Sequence, residues 1–299
     1  MRRITPWPWR RLIRRYGLWA LGVSILAVRL VGGPAHGDVA PPVAVIHVAP
    51  TGDGVYGVDE PIRLTLPWPV SMHALAGAVA MPPGMTWRLV RASPRRFRVM
   101  PVGWWPTDRR VRIVVDAARL YPGRLVAPAA SDQFTTDDER AVVVNLTTQV
   151  MQAYQNGHVV RTMPVSTGVA PESRTPTGHF YIWRRDDSGR MCVATPGAAE
   201  SCAVPNLSYV QYLDHAIPIY GAGGTEQFAE PHSYGGIQLS SQDVGWLWHF
   251  THLGTPAIIC GTTPLHKLLV GYVPAAWRQV VRRDDRCSDP RSVMAWRAR

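Results

Sequence analysis

Residues 233–240, SYGGIQLS, have the composition of a catalytic loop that lacks a reactive atom. Ser233 offers a hydroxyl, and two glycines follow it before an apolar–polar–apolar run that leads to a predicted helix. Glycine lets the backbone approach a ligand closely. Glycine itself supplies no nucleophile. These residues alone fit a degenerate active site and also a plain turn.

The elements that would position this loop are mostly strands. Runs rich in Val, Ile, Tyr and Phe favour β-structure. An Asn-Gly turn at residues 156–157 predicts a β-hairpin, and a further turn is predicted at Leu213-Asp214. The predicted strands are AVVVNL (141–146), QVMQAY (149–154), HVVRTMPV (158–165), the strand that follows the turn in TPTGHFYIW (175–183), and two strands within residues 205–220.

One helix is predicted directly after the loop. Ser240 is a suitable N-cap, and Asp243 three residues later gives a capping-box-like arrangement. Gly254 is predicted to end the helix. The apolar face of this helix would consist of Val244, Leu247 and Trp248.

A separate group of short strands lies before residue 137. Several of them alternate polar and apolar residues, which is typical of a sheet with one buried face, and the breaks between them contain turn residues. The strands are VAVIHV (43–48), IRLTL (62–66), TWRLVRA (86–92), RFRVM (96–100) and VRIVVD (111–116). Their spacing predicts an immunoglobulin-like β-sandwich. Trp104 and Trp105 are attributed to core or interdomain packing rather than to a carbohydrate-stacking platform.

The order of the short motifs in the second half of the chain resembles a known family. The motifs are STG (166–168), TPTGHF (175–180), IYGAG (219–223), SYGGIQLSSQD (233–243) and GTPAII (254–259). This succession resembles the catalytic domain of bacterial L,D-transpeptidases, which are exported enzymes that cross-link peptidoglycan stem peptides through a cysteine acyl-enzyme. The resemblance covers about residues 141–260. The predicted sandwich is similar to the immunoglobulin-like domains that precede this domain in many relatives.

The resemblance implies a substrate cleft whose supporting segments are intact. The implied cleft residues are Ser166, Thr167, Gly168, Thr175, Pro176, Gly178 and Phe180, together with His215, which a shift in the loop alignment would make the base. The family's active site has a histidine-glycine pair and then a Ser/Thr-x-Gly-Cys-hydrophobic-Arg/Asn segment. The equivalent positions in this chain are Tyr220, Gly221, Ser233, Tyr234, Gly235, Gly236 and Gln238.

The substituted positions are the ones that carry the family's chemistry. Amide exchange through an acyl-enzyme needs a thiolate beside an imidazole that shuttles the proton. Glycine stands at the nucleophile's position, and a tyrosine with an ordinary pKa of about 10 is a poor general base near neutral pH. The resemblance therefore implies a protein of the L,D-transpeptidase family with a retained peptidoglycan-peptide cleft and without catalysis. The alternative is an active transpeptidase or peptidoglycan peptidase that uses a non-standard nucleophile.

These observations predict a mainly β fold, with an immunoglobulin-like β-sandwich followed by a mixed-sheet L,D-transpeptidase fold that contains one or two short helices. The predicted domains are a signal peptide or anchor (1–37), the sandwich (38–137), the transpeptidase-like domain (138–262) and an Arg-rich helical tail (263–299). The tail helix would begin at Pro274, and its arginines are interpreted as a solvated face rather than a site for anionic polymer or lipid.

The N-terminus predicts export. Seven arginines and no acids lie in residues 1–37, around an apolar run (16–28) that is too short to span a bilayer comfortably. The sequence PAHG before Asp38 has the pattern of a cleavage site. Uncleaved, the segment would be a membrane anchor, and twin-arginine export is a further alternative. These arginines account for most of the net charge of +11, so the charge is no argument for nucleic-acid binding.

The four cysteines favour disulfides in an exported chain. The candidate pairs are Cys192 with Cys202 and Cys260 with Cys287, although spacing alone does not prove either pairing. Zinc is less favoured because no CxxC pair is present. His249 and His252 have helical i, i+3 spacing, but no third ligand is visible, so no metal and no cofactor is predicted. The expected partners are peptidoglycan stem peptides, with a membrane only if the anchor is retained.

Overall fold

A computed structural model of the chain describes residues 43–169, 173–193, 201–214, 217–221, 228–262 and 287, without the side chains of 189–193, 201–206 and 214. All of these residues belong to one compact unit, Val43–Arg299. The predicted signal peptide, the predicted tail helix and His215 lie outside the described residues. No helix among the described residues is long and apolar enough to cross a membrane.

Eight strands and two short helices form a two-sheet sandwich. The elements are β1 (His47–Ala49), β2 (Val55–Tyr56), β3 (Ile62–Thr65), α1 (Met72–Ala78), β4 (Val79–Ala80), β5 (Trp87–Ser93), β6 (Arg96–Pro101), β7 (Arg110–Asp116), α2 (Ala117–Leu120) and β8 (Ala129–Thr136). One sheet has the order β1-β3-β6-β5 and the other β2-β8-β7-β4. The inward residues of both sheets, such as Phe97 and Ile113, share one buried core.

The second half of the described chain holds two further sheets and one helix. The elements are β9 (Arg140–Asn145), β10 (Val150–Gln155), β11 (His158–Pro164), β12 (Gly178–Tyr181), β13 (Arg184–Val193), β14 (Ser201–Asp214), β15 (Ile217–Gly221), β16 (Ile237–Leu239), α3 (Ser241–Phe250) and β17 (Pro256–Cys260). The sheets have the orders β11-β10-β9-β17-β12 and β13-β14-β15-β16, and they are mixed because β9 pairs with β17 in parallel and β15 with β16 in parallel.

The central strands of the five-stranded sheet are buried on both faces. Val142 of β9 packs into a core shared with the second sheet and α3, while Val143 packs on the opposite side, near Trp104 of the sandwich. Trp105 is buried in the sandwich core. The two tryptophans therefore serve packing, as predicted. The prediction of a mainly β fold with mixed sheets and few helices is confirmed, while the immunoglobulin-like assignment and the domain limits remain predictions.

Two details of the predicted helix after the loop are wrong. The helix ends at Phe250 with Thr251 as its C-cap, so Gly254 does not end it and His252 does not lie on it. The buried face consists of Val244, Leu247 and Phe250, while Trp248 is half-buried. Gly254 has a φ of +82° and serves another contact, described next.

The sandwich and the second half of the chain meet through two glycines. The Gly57 N–H donates to the Leu253 carbonyl at 2.7 Å, and the Asp59 N–H donates to the Gly254 carbonyl at 3.0 Å. A Cβ on Gly57 would lie 2.1 Å from the Thr255 nitrogen, and a Cβ on Gly254 would lie 2.4 Å from the Cβ of Glu60. Only glycine fits at both positions, because any side chain would separate the two backbones.

The same junction buries the carboxyl group of Glu60. Burial raises the pKa of Glu60 to about 7, although the Arg63 guanidinium acts in the opposite direction from 2.9 Å away. The unfolded chain loses this proton near pH 4.5, before the folded protein does. The contribution of protonated Glu60 to the free energy of unfolding is therefore fully present below about pH 4.5 and is lost as the pH rises to about 7.

Glu60→Gln is expected to remove this pH dependence because the amide stays neutral. Between pH 4.5 and 7.5 the free energy of unfolding of the variant should gain about 2–3 kcal/mol relative to wild type. Urea unfolding followed by tryptophan fluorescence at both pH values measures the difference. Glu60→Ala is the control. This variant should be less stable than wild type at every pH, and it should also lack the pH dependence that the Glu60 carboxyl causes. A pH slope that survives both substitutions would rule out Glu60 as its source.

Candidate active site

A ladder of main-chain hydrogen bonds joins the STG segment to the glycine loop. Ser166 and Gln238 exchange hydrogen bonds at 2.9 and 2.8 Å, and the N–H groups of His232 and Ser233 both donate to the Thr167 carbonyl, at 3.1 and 3.0 Å. Gly168 pairs with Ser233 as a parallel bridge. The structure thus brings together two segments that lie about 65 positions apart in the sequence, and it does so through their backbones.

Thr175 holds the glycine loop from the other side. Its Oγ1 accepts from the Gly168 N–H at 2.8 Å and donates to the carbonyl of Gly235 at 3.0 Å. The side chain is fully buried. One hydroxyl of the TPTGHF motif therefore links the STG segment to the loop.

Gln149 supports the STG segment from behind. Its Oε1 accepts from the Thr167 N–H at 2.9 Å, and its Nε2 donates to Thr167 Oγ1 at 2.7 Å. This contact is not predictable from the sequence, because a glutamine at the start of a predicted strand gives no signal of a partner 18 positions away.

Gly168 permits the close approach of these segments. A Cβ on Gly168 would lie 1.8 Å from the Ser173 carbonyl oxygen and 2.8 Å from the Cα of Gly235. Gly235 has a φ of +104°, in the region that favours glycine. Both glycines are thus required by geometry.

The Ser233 hydroxyl is engaged within the loop. Its Oγ donates to the Gly236 carbonyl at 2.6 Å and accepts from the Gly235 N–H at 3.3 Å. The residue is buried, with 3% of its surface exposed. Ser233 therefore shapes the turn and does not present a free hydroxyl.

Position 236 has no room for a side chain. A Cβ there would lie 2.9 Å from the Pro218 carbonyl oxygen, 2.9 Å from Cε1 of Tyr220 and 3.1 Å from Cγ of Pro218. Real Cβ atoms do not approach backbone oxygens so closely, so a larger residue needs Pro218 or Tyr220 to move. Pro218, like Gln149, was not singled out from the sequence.

Tyr220 stands beside Gly236 as a buried phenol. It packs in a cluster with Leu207 and Val210, and burial raises its pKa to about 12. The phenol is therefore neutral across the physiological range and does not act as a base there. Its neighbour Gly221 lies under α3, where a Cβ would be 2.6 Å from Cγ1 of Val244.

The helix that follows the loop is capped as predicted. Ser240 Oγ accepts from the Asp243 N–H at 3.0 Å and donates to the Asp243 carboxylate at 2.8 Å. Arg161 of β11 pairs with the same carboxylate at 2.6 Å. These contacts anchor the end of the loop against β11, at the edge of the five-stranded sheet.

The remaining predicted site residues differ in exposure. Tyr234 projects from the loop with 74% of its surface exposed, and Pro176 is also exposed. Phe180 is half-buried against the core, and Gly178 begins β12. The roles predicted for these residues remain predictions.

Among the described histidines, His232 borders the loop, and its N–H belongs to the main-chain ladder. Cys260 forms a disulfide with Cys287, as proposed from the sequence. Cys192 and Cys202 lie on β13 and β14, and their side chains are outside the described part. Within that part, no group of three or more His, Cys, Asp or Glu residues could hold a metal. His252 instead faces the Asp137 carboxylate, with Nδ1 and Oδ2 3.2 Å apart.

Comparison with known proteins identifies the class of domain. Residues 139–259 match the family model of the L,D-transpeptidase catalytic domain. The chain is 24% identical over 233 residues to L,D-transpeptidase 1 of Mycobacterium tuberculosis strain H37Rv, a match that covers 73% of this chain and 85% of that protein.

Two solved structures share the fold. An L,D-transpeptidase from Mycobacterium smegmatis has a TM-score of 0.60 at 20% identity, over 73% of this chain and 99% of that one. L,D-transpeptidase 3 from Mycobacterium tuberculosis, in complex with a faropenem-derived adduct, has a TM-score of 0.58 at 21% identity, over 71% of this chain and 96% of that one. The matched share is larger than residues 139–259, so the similarity includes part of the sandwich. The predicted L,D-transpeptidase fold is confirmed.

Gly168→Ala is expected to disrupt the site, because its methyl group would overlap the Ser173 carbonyl. The predicted cost is about 3 kcal/mol or more in the free energy of unfolding, measured by urea denaturation. Gly77→Ala in α1 is the matched control, since its Cβ would lie 3.5 Å from the nearest atom, Nη2 of Arg119. This control should be neutral or stabilised by up to about 1 kcal/mol. Equal stability of both variants would contradict the close packing at Gly168.

Proposed function

We propose that this chain is an exported cell-envelope protein of the L,D-transpeptidase family that binds peptidoglycan stem peptides without cross-linking them. The observation that carries the proposal is the filled space at position 236. Two atoms of Pro218 and the Tyr220 ring occupy the volume that a nucleophilic side chain needs. Replacing glycine by cysteine at that position would not restore the enzyme without a further change.

The hydroxyl, thiol and phenol groups considered as replacements are not free to react. Ser233 donates its proton to the Gly236 carbonyl, and Cys260 has no free thiol because it is joined to Cys287. Tyr220 stays protonated far above neutral pH. The alternative function, transpeptidation or peptide cleavage by a non-standard nucleophile, therefore has no candidate nucleophile beside the loop among the residues that the structure describes.

The main-chain features of a peptide-binding cleft are retained. The loop keeps its hydrogen-bonded position between the STG and TPTGHF segments, and the exposed Tyr234 offers an aromatic surface beside it. Relatives with this fold include an enzyme captured with a faropenem-derived adduct. Export is proposed from the arginine-rich and apolar N-terminal segment, and attachment to a membrane follows only if that segment is not cleaved.

Wild-type protein is expected to form no covalent adduct with faropenem and no cross-linked product from a stem-peptide donor and acceptor. Intact-protein mass spectrometry and product analysis measure the two results. An adduct on any residue, or a new cross-link, would contradict the proposal that the protein is not catalytic.

The double variant Gly236→Cys with Tyr220→His supplies the converse result. Gly236→Cys alone should lose about 1–3 kcal/mol of stability because the site is already full. Replacing the phenol by the smaller imidazole should recover part of that loss, and only the double variant should form the faropenem adduct at position 236. Absence of an adduct in a folded double variant would show that position 236 is not equivalent to the family's nucleophile.

Tyr234→Ala should weaken stem-peptide binding about fivefold or more while leaving the melting temperature unchanged, because the ring is exposed and has stacking area to lose. Binding of a tetrapeptide stem is measured by isothermal titration calorimetry. Val159→Ala is the control, since Val159 is 47% exposed and lies on the edge strand β11. Equal affinities for all three proteins would exclude Tyr234 from the binding surface.

A further inference from the structure

One outer face of the sandwich carries a cluster of arginines. On β6, Arg96 and Arg98 are exposed while Phe97 and Val99 between them are buried. Arg63 on β3 lies directly opposite Arg98, and Arg88 on β5 lies opposite Met100, one step further along the same face. We call this surface the arginine face; it consists of Arg63, Arg88, Arg96 and Arg98.

The arrangement places like charges next to each other. Cross-strand neighbours have Cβ atoms about 5 Å apart, and like charges there are unfavourable. Residues two apart on a strand are about 7 Å apart on the same face. Among the described residues Arg63 pairs with the buried Glu60 at 2.9 Å, while the other three have no carboxylate within ion-pair distance. An anionic ligand would relieve this repulsion.

The charge of the chain is also divided between its two halves. Residues 43–136 contain 11 arginines and six acids, whereas residues 137–262 contain six arginines and 11 acids. Two of the sandwich's acids, Asp59 and Glu60, are buried at the junction. The solvent-facing surface of the sandwich is therefore strongly positive, although the transpeptidase-family half is negative.

We propose that the arginine face binds an anionic polysaccharide, whose phosphate or carboxylate groups pair with the guanidinium groups. Guanidinium binds both groups in a two-pronged geometry. The other outward residues of these strands include Ala49, Thr65, Val90, Met100 and the exposed His47, which lies opposite Thr65. The single imidazole on the edge strand β1 offers one stacking ring, whereas single-stranded nucleic acid is held by a succession of aromatic rings. None of these outward residues is Trp or Tyr, the usual anchors of a membrane interface. A regularly charged, flexible polymer suits a flat row of cations better than either alternative.

The test compares two triple variants of the full chain. Arg88→Gln/Arg96→Gln/Arg98→Gln removes three charges from the arginine face, and Arg109→Gln/Arg110→Gln/Arg112→Gln removes three from the opposite side of the same domain. Both variants keep the arginines of residues 1–37, so any contribution from that segment is common to both. All six side chains are exposed, so both variants should fold, which circular dichroism checks.

Binding is measured by biolayer interferometry on phosphomannan, polygalacturonate and neutral dextran. Wild type is expected to bind at least one anionic polymer and not dextran, and more weakly at 300 mM than at 50 mM NaCl because salt screens the contacts. The arginine-face variant should lose at least tenfold in affinity and the control less than threefold. A preference between the two anionic polymers identifies phosphate or carboxylate as the group that is bound.

Other outcomes would overturn the proposal. If both variants lost the same affinity for the anionic polymers, the effect would come from net charge and not from the arginine face. If wild type bound dextran as well as the anionic polymers, recognition would not depend on charge. Binding to a dT20 oligonucleotide or to anionic phosphatidylglycerol vesicles, without binding to either polysaccharide, would assign the face to another partner. Stem-peptide affinity should be unchanged in both variants, so failure here is distinct from failure of the proposed cleft function.

Discussion

The main-chain ladder between residues 166–168 and 232–238 is the constraint on which the candidate site depends. Backbone groups and the Thr175 hydroxyl make its hydrogen bonds, and the side chain at position 236 makes none of them. The hydrogen bonds that hold the loop therefore do not depend on a side chain at position 236.

Glycine is required at position 236 for a different reason than at positions 168 and 235. Gly168 is required by the close approach of two backbones, and Gly235 by its positive φ. Gly236 has no positive φ; it is required because Pro218 and the Tyr220 ring fill the adjacent space. Residues 220 and 236, which the sequence resemblance aligns with the family's base and nucleophile, are thus sterically coupled, since the buried phenol is compatible with glycine and not with a larger side chain.

Features set by neighbouring residues were predictable from the sequence, and features set by distant contacts were not. The Asn156-Gly157 turn adopts the positive φ angles of an Asn-Gly hairpin, and Ser240 caps α3, because both depend on residues within one turn. Gly254 was assigned to the helix end, but its partner is Glu60, almost 200 positions away. Gln149 and Pro218 gave no signal because each acts through a non-local contact. The short helices α1 and α2 were missed because four to seven residues carry too little periodicity.

The glycine contacts at the junction join the parts of the chain that carry the glycine loop and the arginine face. Gly57 and Gly254 let the two halves meet backbone to backbone, and Thr175, which supports the loop, lies three residues before the start of β12. If the proposed cleft binds without covalent chemistry, it holds its ligand only by its binding free energy. A second binding surface in the same compact unit would then raise the local concentration of a polymer-linked peptide at the cleft.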